Sequence, residues 1–150
     1  MRIAIGSDHG GFALKSEILK HIQEQGYEVK DFGCYSLDSV DYPDIAQVVG
    51  EAVVKGDFDR GILICGTGIG ISIAANKIPG VRAALCGDCF SAKLTRQHND
   101  SNILTMGERV LGVGLAKMIT DIWLTTEFEG GRHGLRVDKI SEIECRYNRE

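Results

Sequence analysis

The chain has 150 residues, enough for one domain with a sizeable core, and 25% of them are charged. A net charge of −4 with scattered basic residues excludes a polyanion-binding surface, so nucleic acid is set aside as a partner. No apolar run reaches the ~18 residues that span a bilayer, and the first residues lead into a strand without a signal-peptide charge pattern. No membrane partner is expected, and the cytoplasm is the expected compartment.

In chain order, Arg2–Ser7 reads as a β-strand and runs out into Ser7-Asp8-His9-Gly10-Gly11. Phe12 to Gln25 places Phe12, Leu14, Ile18, Leu19 and Ile22 on helical spacing and closes at Gly26. Tyr27–Phe32 is the second strand, followed by a loop from Gly33 to Tyr42. Pro43 then opens a helix to about Lys55. Arg60–Cys65 is the third strand, and Ile71–Lys77 a short helix stopped by Pro79-Gly80. Val81–Leu85 makes the fourth strand, Asp88–Gln97 a helix and Ile103–Met106 the fifth strand. Val113–Thr125 and Val137 to about Arg146 are the last two helices.

This alternation predicts a single α/β domain over residues 1–150: a Rossmann-like, three-layer sandwich with a five-stranded parallel sheet and a C-terminal helix. In such sheets ligands sit beyond the carboxyl ends of the strands. Asp8, His9, Cys65 and Thr67 are therefore expected at one edge. His98, at the far end of its helix from the fourth strand, needs the start of the fifth strand or a partner subunit to reach the same cleft.

The run Gly61 to Ser72 carries the strongest chemical signal. Apolar strand residues feed into Cys65, and Gly66, Gly68 and Gly70 alternate behind it before an apolar helix start. Alternate glycines let successive amides converge as an anion nest, and the following helix adds a positive dipole end. A thiol there has a cradle for a developing oxyanion beside it and a shift to thiolate below its usual pKa of about 8.5. The glycine spacing is not the dinucleotide fingerprint, its acidic ribose partner is missing, and there is no Walker lysine. NAD binding is therefore disfavoured.

The remaining motifs have competing bland readings. Asp8 next to His9 fits either a site or a helix cap. His98-Asn99-Asp100 fits a solvated helix end. Arg132 and Arg136, after Gly130-Gly131, suit forked binding of a phosphate, though such residues are often plain surface charge. The five cysteines, Cys34, Cys65, Cys86, Cys89 and Cys145, form no even framework and read as reduced thiols. Cys86-Gly-Asp-Cys89 has no second ligand pair, so it is read as structural; neither a metal nor a redox role is expected.

Taken together, Gly6-Ser7-Asp8-His9-Gly10-Gly11, Cys65-Gly66-Thr67-Gly68-Ile69-Gly70, Val81-Arg82-Ala83-Ala84, His98-Asn99-Asp100-Ser101-Asn102 and Gly107-Glu108-Arg109-Val110 closely resemble the ribose-5-phosphate isomerase B family. That family also includes allose- and galactose-6-phosphate isomerases, and the likeness covers nearly the whole chain. The resemblance implies an aldose–ketose isomerase of the pentose phosphate pathway that works through an enediolate and needs no cofactor. It implies Cys65 as the base moving a proton between C2 and C1, with the amides of Gly66, Gly68, Ile69 and Gly70 holding the enediolate. His98 would assist furanose opening, Asp8 would lie near the sugar hydroxyls, and Thr67 would shuttle protons between O1 and O2. Asn99 would bind substrate, His9, Arg132 and Arg136 the phosphate, and Arg109 would reach across a dimer interface, with Tyr42 a weaker carry-over. Members with serine at the cysteine position use a glutamate in the next helix; Ile71 to Asn76 contains no acid, so the cysteine mechanism fits.

A homodimer is the expected minimum, with a tetramer open, because the last helix carries Ile140, Ile143 and Tyr147 as an apolar stripe. A six-carbon sugar phosphate, which differs by one hydroxymethylene, and a non-catalytic phosphosugar-binding module remain the alternatives.

Overall fold

The computed structural model describes residues 1–148. Strands β1 (Arg2–Ser7), β2 (Glu28–Asp31), β3 (Arg60–Cys65), β4 (Ala83–Leu85) and β5 (Ile103–Gly107) form one sheet in the order β2-β1-β3-β5-β4. Every neighbouring pair is parallel. Helices α1 (Phe12–Glu24), α2 (Tyr42–Val54), α3 (Ile69–Ala75), α4 (Cys89–Asn99), α5 (Val113–Thr125) and α6 (Arg132–Tyr147) complete the chain. This is the three-layer Rossmann-like arrangement that the alternation predicts.

The central strands are apolar on both faces because helices cover both. Ile3, Ile5, Ile62, Ile64, Leu104 and Met106 pack with Leu14, Ile18 and Ile22 of α1 and Ala116, Ile119 and Trp123 of α5. The intervening Ala4, Leu63, Cys65 and Ile103 pack with Ala46, Val49 and Val53 of α2 and Ile71 and Ala75 of α3. Arg60, buried at the start of β3, donates to the carbonyls of Trp123 and Leu124 at 2.7 and 2.9 Å, closing the C-terminal end of α5.

Three element starts differ by two or more positions from the sequence expectation. Helix α3 starts at Ile69, not Ile71, because Gly68 takes a left-handed φ of +79° and turns the chain directly into it. Strand β4 starts at Ala83, not Val81. There the Arg82 amide donates to the Asn102 side chain at 2.8 Å and not to a β5 carbonyl, while the Arg82 carbonyl still accepts from the Asn102 and Ile103 amides. Helix α6 starts at Arg132, five positions before the expected Val137, straight after Gly131 at φ +56°. Among the described residues no helix is long and apolar enough to cross a membrane.

Strand order reverses between β1 and β3, which opens a crevice at their carboxyl ends. A β-carbon at Gly11 would lie 2.6 Å from the Ile64 carbonyl oxygen, so the turn after β1 presses onto the end of β3. At Gly107 it would lie 2.4 and 2.5 Å from the carbonyl carbon and oxygen of Thr67. Neither backbone neighbour can yield as a flexible side chain would. Gly107→Ala is expected to lower the thermal midpoint by about 3–10 °C, from an overpacking cost of about 1–3 kcal/mol. Calorimetry checks this, and an unchanged midpoint would contradict the close approach.

Candidate active site

The first group of site residues sits in the crevice. Asp8 leaves β1 in extended conformation, and its amide donates to the Ile64 carbonyl at 3.3 Å. The side chain is 7% exposed and makes no capping bond, which removes the helix-cap reading. Its Oδ1 has no hydrogen-bond partner among the described residues. A buried carboxylate oxygen left so is costly unless it is there for a ligand. A β-carbon at Gly10 would lie 3.3 Å from that Oδ1 and 3.3 Å from the Gly66 nitrogen, so glycine lets the carboxylate and the Cys65 loop close on one point. His9 Nδ1 accepts from the Val40 amide at 3.2 Å, which leaves Nε2 to carry the neutral ring's proton.

Cys65 ends β3 at 4% exposure, on the floor of this crevice. The Gly68 amide donates to its Sγ at 3.1 Å, and the Ile69 amide donates to Thr67 Oγ1 at 3.2 Å. Not every amide of the loop is therefore free for an oxyanion, as the sequence reading expected. Gly68 serves the sulfur and Ile69 serves Thr67, which leaves Gly66 and the next amides of α3's first turn.

The segment after β5 holds this loop in place. The Glu108 and Arg109 amides donate to the carbonyls of Cys65 and Gly66, each at 3.0 Å, and Thr105 Oγ1 donates to the Gly68 carbonyl at 3.1 Å. Glu108 Oε2 in turn accepts from the Leu14 amide at 2.9 Å, tying the same segment to the start of α1. The Arg109 guanidinium rests against Gly66, with Nη1 3.4 Å from where a β-carbon would stand. Arg109 thus lies at the glycine loop of its own chain. Tyr42 also joins the site: its ring lies over Gly70, whose β-carbon would stand 2.7 Å from Cζ.

The second group lies elsewhere in the same chain. Helix α4 leaves the carboxyl end of β4, capped by Asp88, whose Oδ1 accepts from the Ser91 amide at 2.6 Å. Its 11 residues run back across the sheet, about 16 Å at 1.5 Å per residue, to where β5 begins. His98 and Asn99 are at that far end, well removed from Cys65. Beside them Arg132 and Arg136, both exposed, sit one turn apart on α6 and share a face. The His98 ring stacks on His133 at 4.1 Å between centroids and 8° between planes. Glu129 Oε2 lies 3.4 Å from His133 Nε2, and the Glu129 amide donates to the Gln97 carbonyl at 3.1 Å.

Sequence reasoning missed His133, Glu129 and the tie from Glu108 to α1. The early start of α6 hid His133, because Gly130-Gly131 reads as loop and no capping residue follows. Ligand atoms of His98, Glu129 and His133 lie within 4.8 Å of one another. Parallel rings direct their lone pairs side by side, whereas zinc needs both nitrogens in-plane at about 2.1 Å from one point. The trio does not fit a metal.

Cys86 of the CxxC is pushed up to about 11, first by burial and then by the charge of Asp88. It stays a protonated thiol near neutral pH, which fits the structural reading and not a redox one. The two main grooves flank the site without containing Cys65. One of about 390 Å³ adjoins Thr67, Ile69, Leu85 and Val110; a larger one of about 680 Å³ lies between α6 and β4, with Asn99, Ile140, Ile143 and Tyr147 in its wall.

The chain resembles known proteins over its full described length. The sequence model of the Ribose/Galactose Isomerase family matches residues 3–140. Ribose-5-phosphate isomerase B of Escherichia coli (strain K12) is 56% identical over 98% of this chain and 99% of its own. D-erythrulose-4-phosphate isomerase of Pectobacterium atrosepticum is 43% identical over 96% of this chain and 95% of its own. Among solved structures, ribose-5-phosphate isomerase B of Clostridium thermocellum superposes with a TM-score of 0.98 at 59% identity, covering 99% of this chain and 100% of that one. With a fold, a cysteine–glycine loop and relatives that all agree, the chain belongs to the ribose/galactose isomerase family.

Proposed function

We propose that the protein interconverts ribose 5-phosphate and ribulose 5-phosphate, with Cys65 as the base and with each active site built from two copies of the chain. The observation that carries this reading is the division of the site residues. Asp8, His9, Tyr42, Cys65, the glycine loop and Arg109 gather at the carboxyl edge of the sheet, whereas His98, Asn99, Arg132 and Arg136 gather near its opposite edge. A two-fold axis beside the edge strand β4 would set the carboxyl edge of one sheet against the amino edge of the other, twice. Exposed Ile69, Ile73, Leu85, Phe90 and Val110 at the carboxyl edge, and Ile140, Ile143 and Tyr147 on α6, supply apolar surface for that contact. A tetramer would add a further contact without altering this pairing.

In the reaction the Cys65 thiolate takes the C2 proton of the open-chain aldose, and the electron pair moves onto O1. The amides of Gly66 and the first turn of α3 hold this enediolate, each donor worth roughly 3 kcal/mol in comparable sites. Thr67 passes the proton from O2 to O1. The Cys65 thiol then returns its proton to C1 as the C2 carbonyl forms. Arg132 and Arg136 of the second copy, with His9, anchor the phosphate, so that binding energy remote from the reacting carbons restrains a flexible substrate. The proton returns to a neighbouring carbon, so the step balances without an external oxidant or reductant. The family's metabolic role and the reduced thiols favour the cytoplasm.

Initial rates on ribose 5-phosphate, allose 6-phosphate and galactose 6-phosphate, measured side by side, test the substrate. Ribose 5-phosphate is expected to lead in kcat/KM by about tenfold or more, the scale that one carbon unit commands in a fitted pocket. A six-carbon lead would transfer the assignment, and no turnover of any of them would favour a binding module.

A further inference from the structure

His133 is buried, beside residues assigned to phosphate and ring opening, yet neither the proton-transfer steps nor phosphate binding uses it. We propose that His133 is a positioning residue for ring opening: stacked on His98 and lying beside Glu129, it sets the plane in which His98 meets the furanose oxygen. This inference rests on the proposed isomerase reading and assigns a further residue to it.

The geometry supplies the argument. A histidine at a helix end is free to turn about two side-chain bonds, and a general acid must be held within hydrogen-bond reach of its target. The parallel stack at 4.1 Å fixes the face of the His98 ring. His133 is itself held through the Gly130 carbonyl, which accepts from its amide at 3.1 Å, and Glu129 Oε2 lies 3.4 Å from its Nε2. Glu129 is bound to α4 through Gln97. The clamp therefore joins α4, α6 and the segment between α5 and α6 around one imidazole.

The chemistry needs one proton in, one out. Opening breaks the C1–O4 bond: O4 gains a proton and the hydroxyl on C1 loses one, giving an aldehyde and a free C4 hydroxyl. His98, as the ring-opening acid, gives a proton to O4, and the buried Asp8 carboxylate of the facing copy accepts the one from O1. The pair must not waste its proton on the inner ring. Burial first, then the charges of His98, Arg132 and Arg136, hold His133 below the ordinary histidine value, against Glu129, which raises it. His133 is the neutral member and serves as a flat support.

Ribulose 5-phosphate separates ring opening from enolisation, because its O5 carries phosphate and it cannot close a furanose ring. In D2O the enzyme can exchange the C1 hydrogen of this ketose through the enediolate without opening any ring. His133→Ala is expected to lower kcat/KM for ribose 5-phosphate by about tenfold or more, while C1 deuterium incorporation into ribulose 5-phosphate stays within about twofold. His133→Phe keeps a flat ring and should recover most of the loss, and His98→Asn should reproduce the selective defect. Equal losses in turnover and exchange, no loss, or no recovery by phenylalanine would overturn the proposal; thermal midpoints of the variants identify misfolding. Wild-type enzyme inert toward both sugars would instead reject the isomerase reading itself.

Discussion

Cys65→Ala is expected to lower kcat for ribose 5-phosphate by about 10²–10⁴-fold, the range that a positioned acid–base group contributes, while binding of a sugar phosphate changes little. The reason is the place of the sulfur. Sγ accepts the Gly68 amide at 3.1 Å, and the arginines proposed for the phosphate lie on α6 away from it in the chain, so alanine is expected to remove the proposed proton acceptor and leave the phosphate grip intact. Alanine is also smaller than cysteine at a site packed with Ile71 and Ala75, so the core is spared overpacking. Calorimetric titration with a phosphorylated acyclic inhibitor, beside a coupled rate assay, separates the two effects. Turnover near the wild-type level would remove Cys65 from the chemistry. Equal loss of binding and turnover would make it a structural thiol.

Much of this site is legible in the sequence because the chemistry depends on short-range geometry. A strand of Ile62-Leu63-Ile64 leading into Cys65 and alternate glycines admits few backbone paths, and the structure takes the one that turns a donor amide onto the sulfur. Gly107-Glu108-Arg109 is recognisable as a motif, but its tasks are not. That Gly107 is required by Thr67, and that Glu108 ties the segment to α1, are contacts between residues distant in sequence. Periodicity carries no such information.

The misread boundaries have similar causes. Helix α6 has no side-chain cap and begins behind paired glycines, which by composition look like loop. Its true start puts His133 on the stack with His98, a contact spanning two helices that neither helix announces alone. Strand β4 starts late where the Asn102 side-chain oxygen takes the Arg82 amide, a contact between residues twenty apart that periodicity does not announce. The division of the site between two sheet edges was half visible: the topology of a β-strand followed by a returning helix put His98 far from Cys65, and only the folded chain puts Arg132 and Arg136 with it.

A second large effect is expected from mixing two impaired proteins, and it bears directly on the proposal that two chains build each site. On the proposed reading Cys65→Ala removes the base and His98→Asn the ring-opening acid, so each variant dimer is impaired at both of its sites. In a mixed dimer one site inherits both defects, and the other pairs an intact Cys65 with an intact His98. Random exchange of subunits makes about half the dimers mixed, with one working site in two, so activity should return to about a quarter of wild type. The two variants are unfolded and refolded together and assayed on ribose 5-phosphate against each refolded alone. Recovery toward that quarter is the predicted result; a mixture no more active than the better of its parents would contradict the shared site.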